Sequence, residues 1–217
     1  MKSYVITIMD NAKSVKVAER CIASAERFGM PVSKFEAITP KSNLTNLMVK
    51  EKIKKSGFEE RWSRMPECMS AFMSHYLLWK KSVELNEEVT IFEHDAVVMD
   101  SIPALNDYRG CISFGAPSYG KFNTPTRLGV NSLISKPYFP GAHAYRVKPN
   151  IAQLLVDQAR YHARPTDVFL NTESFPFLEE YYPWPVEAHD SFTTIQNTNG
   201  IQAKHNYHKL KTKYGII

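Results

Sequence analysis

The chain has 217 residues, 43% of them hydrophobic and 23% charged, with 9 Gly, 13 Pro and a formal net charge of +5. A chain of this length buries roughly 70% of its unfolded surface, and no window approaches the ~20 apolar residues of a bilayer span; disordered, collagenous and membrane-spanning classes are excluded. The charge is uneven, because no Asp or Glu follows Asp190 whereas Lys204, Lys209, Lys211 and Lys213 do. That arithmetic divides the chain into a nearly neutral body over residues 1–195, expected as a single domain, and a basic C-terminal tail over 196–217. The start, Met1-Lys2-Ser3 followed by Tyr4 to Ile8, lacks a secretory apolar stretch with a cleavage site, which predicts a mature cytoplasmic start. Cys21, Cys68 and Cys111 are an odd set without a CxxC pair, so buried thiols in a reducing compartment are expected rather than disulfides or a zinc site.

In chain order, Val5 to Ile8 reads as a strand. Val15, Ala18, Cys21, Ile22, Ala25 and Phe28 then recur at helical spacing until Gly29 and Pro31 stop the helix. Lys34 to Ile38 reads as a second strand, and strand, helix, strand is how a parallel α/β sheet begins. Residues 41–66 are polar, with an amphipathic piece over Leu44 to Ile53 whose basic face is solvated. A helix from Met69 to Leu85 leads into the apolar strand Val89 to Phe92. Cys111 to Phe114 is a further strand, and the following Gly115 to Gly120, with Pro117 and Tyr119, has the makings of a lid. Ala142 to Val147 reads as a strand, and Asn150 is expected to cap a helix carrying Ile151, Leu154, Leu155 and Ala159. The Pro- and aromatic-rich stretch Phe175 to Pro185 cannot be a long regular element, so the C-terminal third is expected to be irregular. The whole reads as one α/β domain with a mostly parallel twisted sheet flanked by helices.

Chemistry concentrates where the strand Val89 to Phe92 runs into Glu93-His94-Asp95. Side chains at the carboxyl edge of a parallel strand are where open α/β sheets bind ligands. Two carboxylates one residue apart suit a hard cation such as Mn²⁺ or Mg²⁺, with substrate phosphates completing the shell; solvated acids at a strand end are the plain alternative. Asp167, in Pro165-Thr166-Asp167, is either a general base, a contact to ligand hydroxyls or a helix cap.

Ser70 to Trp79, which carries Ser74, His75 and Trp79, together with Ile91 to Val97, resembles glycosyltransferase family 25, which includes bacterial lipooligosaccharide and procollagen galactosyltransferases. The family shows Gly-Cys-x-x-Ser-His-x-x-x-Trp and then a strand ending in Glu-Asp-Asp-Ala. Here Ser70 and Ala71 stand in the Gly-Cys places and His94 in that of the middle acid. Gly141-Ala142-His143-Ala144-Tyr145 and Pro165-Thr166-Asp167 are similar to two further motifs in the same order, and the opening Val5 to Thr7 and Phe35 to Ile38 also fit, so the resemblance covers most of residues 1–195. After the first strand, Thr7-Ile8 replaces the family's Asn-Leu, which bears on the nucleotide base pocket.

The resemblance implies a GT-A type fold, a nucleotide-diphosphate sugar (a UDP-sugar) as donor, Mn²⁺ or Mg²⁺, and inversion at the sugar carbon. It implies Glu93 and Asp95 as metal ligands, with Glu93 also a candidate for the ribose. His189 is the candidate third ligand, against a surface or stacked histidine. The base is Asp167 or Asp190, with Glu173 behind them. Thr7, His75 and His143 are the further candidates for holding the donor, His75 in a supporting or donor-contacting role and His143 against the alternative of a core histidine. Trp79 and Tyr145 read as core.

The acceptor is a glycan of the lipopolysaccharide type, reached at a membrane surface through the basic tail. Lys, His and Tyr interleaved in the tail suit nucleic acid as well, with a hydroxymethylated DNA base as acceptor in a phage setting. The plain alternative is a solvated tail. A reading of another class is a sugar- or nucleotide-binding module without turnover, to which His94 lends support.

Overall fold

The structure is a computed structural model that describes residues 1–189 and 194–197. Asp190 and the lysines of the tail lie outside the described residues. Strand β1 (Lys2–Thr7) leads to helix α1 (Ala12–Glu26), whose N-cap Asn11 accepts from the amides of Lys13 and Ser14, satisfying two of the donors that a helix start leaves over. Strand β2 (Ser33–Glu36) then returns parallel to β1, completing the expected β-α-β unit. Helices α2 (Leu44–Glu51) and α3 (Met65–Leu85) follow; α3 starts four residues earlier than its apolar spacing suggested, because Pro66 occupies its first turn. It ends at Asn86, left-handed at φ 50°, and strand β3 (Val89–Glu93) runs parallel to β1 on the side away from β2.

Strands β4 (Ala96–Val98), β5 (Cys111–Ser113), β6 (Gly129–Ser132) and β7 (Ala144–Val147), helices α4 (Pro149–His162) and α5 (Thr166–Phe169), and strands β8 (Glu179–Tyr182) and β9 (Val186–Ala188) complete the order. The main sheet has seven strands in the order β2-β1-β3-β7-β5-β8-β6, and β4 pairs with β9 in a separate ribbon. Five of the seven strands share a direction, while β7 runs against β3 and β5, and β6 against β8. Mostly parallel is therefore right as a count, with a reversed strand in the middle. The reason is local: the chain reaches β7 from the carboxyl edge of β3, where the His143 carbonyl accepts from the Glu93 amide, so β7 can only descend.

Alternation along the central strands sends neighbours to opposite faces. Ile91, Cys111 and Tyr145 join Phe72, Trp79, Phe139 and Phe169 beneath α3 and α4. Phe92, Ile112 and Ala144 join Val5, Cys21, Phe114 and Val186 beneath α1. All three cysteines are buried and unpaired as disulfides.

Two expectations need correction. Among the described residues, the C-terminal third contains α4, the short helix α5 and strands β8 and β9; β8 lies within the Pro- and aromatic-rich stretch as a four-residue segment, too short for its composition to announce. Asn150 does not cap α4, because Lys148 holds that position and Pro149 is the first helical residue, where a missing N–H costs nothing. Just past residue 195, Gln196 bridges to Ser63, and Asn197 donates its amide to the Trp62 carbonyl.

Candidate functional site

A cleft of about 490 Å³ opens at the carboxyl ends of β1, β2 and β3. Its floor is Ile6, Ile8 and Ala37; one wall is the first half of α3, and the other is built from Ser118, Tyr119, Gly141 and Pro165–Asp167. Glu93, His94 and Asp95 all line it. The strand reading placed these acids correctly because β3 ends at Glu93 and the chain turns out of the main sheet before β4 begins.

Glu93 is held by a buried chain of hydrogen bonds. The Trp79 indole donates to the Tyr145 hydroxyl at 2.8 Å, that hydroxyl lies 2.9 Å from His75 Nδ1, and His75 Nε2 lies 3.2 Å from Glu93 Oε1. Burial pushes the His75 pKa down to about 3, so the ring is neutral and carries one proton. A carboxylate can only accept, which places that proton on Nε2 and makes Nδ1 the acceptor of the Tyr145 O–H. Trp79 and Tyr145, read from sequence as core, are core side chains that also set the tautomer of the histidine facing Glu93.

Asp95 is seated differently. Its carbonyl accepts from the His189 amide at 2.9 Å and from Arg20 at 3.3 Å, and Arg20 also donates to the His189 carbonyl. Its carboxylate oxygen Oδ1 is buried without a hydrogen-bond partner among the described residues. Such an orphaned acceptor at the edge of a cleft carries a desolvation cost that a cation would relieve. His94 turns the other way, with Nδ1 2.9 Å from Ser14 Oγ, which in turn accepts from the Ile8 amide.

His189 does not join the acids in the cleft. It is 1% exposed, and its Nε2 lies 2.7 Å from Glu187 Oε2. Pairing of β9 with β4, Ala188 opposite Ala96, puts Ala188 at the cleft and turns the His189 ring inward. Among the described residues no group of three His, Cys, Asp or Glu is placed to hold a metal ion. The donor set therefore fits a cation held by one or two carboxylates with substrate phosphates supplying the rest.

Thr7 is also away from the cleft: its side chain is fully buried and donates to the Val5 carbonyl, while its neighbours Ile6 and Ile8 line the floor. His143 is buried beside the cleft wall, and among the described residues neither of its ring nitrogens has a hydrogen-bond partner within normal geometry. Two glycines make room for it. A Cβ on Gly115 would lie 2.5 Å from His143 Nε2, and one on Gly141, at φ 110°, would lie 3.0 Å from Nδ1 and 2.5 Å from Ser118 Oγ.

Asp167 does line the cleft, on α5, which packs against α3 and brings its charge close to Cys68. It is not a cap, since Pro165 holds that position in α5. One carboxylate oxygen accepts from the Val168 amide at 2.9 Å and the other from the Tyr119 hydroxyl at 2.5 Å. Burial raises its pKa, and the Tyr119 hydrogen bond works against that rise. Tyr119 was legible only as an aromatic residue in a loop; nothing in its spacing pointed to an acid 48 residues later. The base of that loop is fixed rather than free, with Gly115 bridged to Val186 and the Ala116 amide on the Val186 carbonyl.

Comparison with known proteins bears on what this cleft serves. The profile of glycosyltransferase family 25 (LPS biosynthesis protein) matches residues 1–110, half of the chain, including Glu93 and Asp95. The chain belongs to glycosyltransferase family 25. Membership in family 25 supports a glycosyltransferase role, with a nucleotide sugar and a glycan acceptor as the partners that role implies; nothing in the comparisons supports nucleic acid. No curated protein matches the chain. Among solved structures, the CTP:phosphocholine cytidylyltransferase of Streptococcus pneumoniae is similar at 11% identity over 85% of this chain and 91% of that one, with a TM-score of 0.35, a likeness too low to argue from.

Proposed function

We propose that this family 25 protein is a metal-assisted, inverting glycosyltransferase of the GT-A type, moving a hexose or pentose from a UDP-sugar to a hydroxyl of a lipopolysaccharide-type glycan. One observation carries the reading: a pair of strand-end carboxylates, Glu93 and Asp95, and a separate, partly buried carboxylate, Asp167, line the same cleft. Inversion needs those two functions apart, since the leaving diphosphate departs from one face of the sugar and the acceptor hydroxyl loses its proton on the other.

In this reading Asp95, with its unpartnered oxygen, and Glu93, oriented by His75, hold Mn²⁺ or Mg²⁺. The cation, when bound, supplies positive charge against the diphosphate as it leaves. Asp167 accepts the acceptor's proton; its raised pKa brings its basicity closer to working pH than that of an exposed aspartate. His189 is given no part in this reading, because it does not line the cleft and its Nε2 lies on Glu187.

The test is release of UDP from UDP-glucose, UDP-galactose and UDP-N-acetylglucosamine, with Mn²⁺ or EDTA, for wild type and Asp95→Ala. Turnover that EDTA abolishes and Asp95→Ala lowers on the order of a hundredfold supports the reading. Unchanged turnover in Asp95→Ala removes the metal assignment. Binding of the sugar nucleotides without turnover, indifferent to Mn²⁺, points instead to a recognition module.

A further inference from the structure

Both carboxylate oxygens of Asp167 already accept a hydrogen bond. Its Oδ1 is occupied by the Val168 amide and its Oδ2 by the Tyr119 hydroxyl, at 2.5 Å a short, charge-assisted bond. The phenol is anchored by more than this bond. Lys136 Nζ sits 4.8 Å from the centre of the Tyr119 ring and 5.5 Å from that of Tyr138, and the two rings stack at 6.5 Å with 24° between their planes. Lys136 is only 9% exposed, which strengthens a cation held over aromatic faces. On the upstream side the loop is tied to β9 through Gly115 and Ala116 and to Pro140 through Ser118; on the downstream side residues 120–124 are exposed, and Asn123 is held to Ser135 and Ile134. Tyr119 therefore sits between two anchored points of the loop, where a turn of its own side chain would lift the hydroxyl from Asp167.

We infer that the Tyr119 hydroxyl occupies the place of the acceptor hydroxyl, a stand-in that keeps Asp167 from activating water until a glycan hydroxyl replaces it. This rests on the reading of Asp167 as the base. The chemistry requires some such device. A base open to solvent beside a bound sugar nucleotide would deprotonate water as readily as a sugar hydroxyl, and the donor would be hydrolysed. A phenol is suited to the role because it presents one O–H donor with a pKa far above that of the carboxylate, raised further here by burial and by Asp167, so it donates without giving up its proton. When a glycan hydroxyl takes its place, that O–H breaks, its proton passes to Asp167 Oδ2 and its oxygen bonds to the anomeric carbon. The bond from that carbon to the phosphate oxygen breaks at the same time, its electron pair staying on the nucleoside diphosphate. Tyr119 is thus a positioning residue that marks the acceptor subsite.

The experiment uses Tyr119→Phe in the full chain, with UDP release followed without acceptor (hydrolysis) and with a lipooligosaccharide acceptor (transfer), on whichever UDP-sugar the wild type turns over. The ring and its contacts with Lys136 stay, so only the hydroxyl is lost. Hydrolysis without acceptor is expected to rise about tenfold while the acceptor KM falls. Lys136→Gln, which loosens the ring instead, is expected to move both in the same direction to a smaller extent. In Tyr119→Phe/Asp167→Asn the gain in hydrolysis is expected to vanish; if it persists, Tyr119 is only a steric cover and the inference is overturned. Hydrolysis at the wild-type level in both Tyr119→Phe and Lys136→Gln, with transfer abolished by Asp167→Asn, overturns the inference alone. Transfer unaffected by Asp167→Asn, or no UDP-sugar turned over at all, overturns the reading of Asp167 itself and the inference with it.

Discussion

The His75 ring shows how little separates a packing residue from one that shapes a site. Trp79, Tyr145 and His75 are all at most 1% exposed, and by burial alone each is core. What distinguishes them is that their polar atoms form a directed chain ending on Glu93. Tyr145→Phe removes the acceptor of the indole N–H and the donor to Nδ1 in one step, and two buried groups are left unsatisfied. The expected cost is about 2–4 kcal/mol of unfolding free energy in urea. In addition, the His75 imidazole, held wholly as the Nε2–H tautomer in the wild type, becomes a mixture. Ring ¹⁵N chemical shifts read the tautomer directly, and a variant that keeps the Nε2–H form would show that Glu93 alone fixes it.

At the level of elements, two helices hook the ends of two strands by a serine apiece. Ser14 of α1 accepts from the Ile8 amide just past β1, and Ser74 of α3 accepts from the Ile38 amide just past β2 while donating to the Ser70 carbonyl. These are the points where strands stop and backbone amides would otherwise face an apolar floor. Ser14 also meets His94, so Ser14→Ala frees two buried groups and is expected to cost about 1–3 kcal/mol. The urea midpoint should fall with the slope unchanged; a changed slope would mean that the β1 end unfolds separately. The first half of the chain was legible because its strands and helices are long enough for periodicity to show, as in β1, α1, α3 and β3. Strands β4, β6, β8 and β9 were not, since segments such as Gly129-Val130-Asn131-Ser132 lack the apolar run and flanking turn residues that marked the equally short β2, β5 and β7, and are defined by their partners. The same limit explains the site. Adjacent acids at the end of β3 could be placed from sequence, but the side to which His189 points depends on the pairing of β9 with β4, which leaves no local trace.

For the molecule as a whole, the cleft concentrates neutral histidines as well as acids. His75, His94 and His143 all have pKa values lowered chiefly by burial. A histidine unprotonated in the folded state and protonated near pH 6.5 when unfolded contributes stability that is present above 6.5 and lost as pH falls below it. With its folded value near 3, His75 alone accounts for about 2 kcal/mol lost by pH 5. Urea titrations at pH 7.5, 6 and 5 should show a steady fall in unfolding free energy, and a flat profile would mean that these rings are charged in the fold. No described helix is long and apolar enough to cross a membrane.

Arg20 ties the carbonyls of Asp95 and His189 together, and β3 and β4 each take a neighbour, β7 and β9, from beyond residue 140. The half of the chain that carries the family signature is therefore not a separable unit. A cut after residue 110 would leave β3 and β4 with bare edges, and Asp95 would lose its seat although every residue of its motif remained. The later half, where the family profile is silent, is what keeps the acid in place.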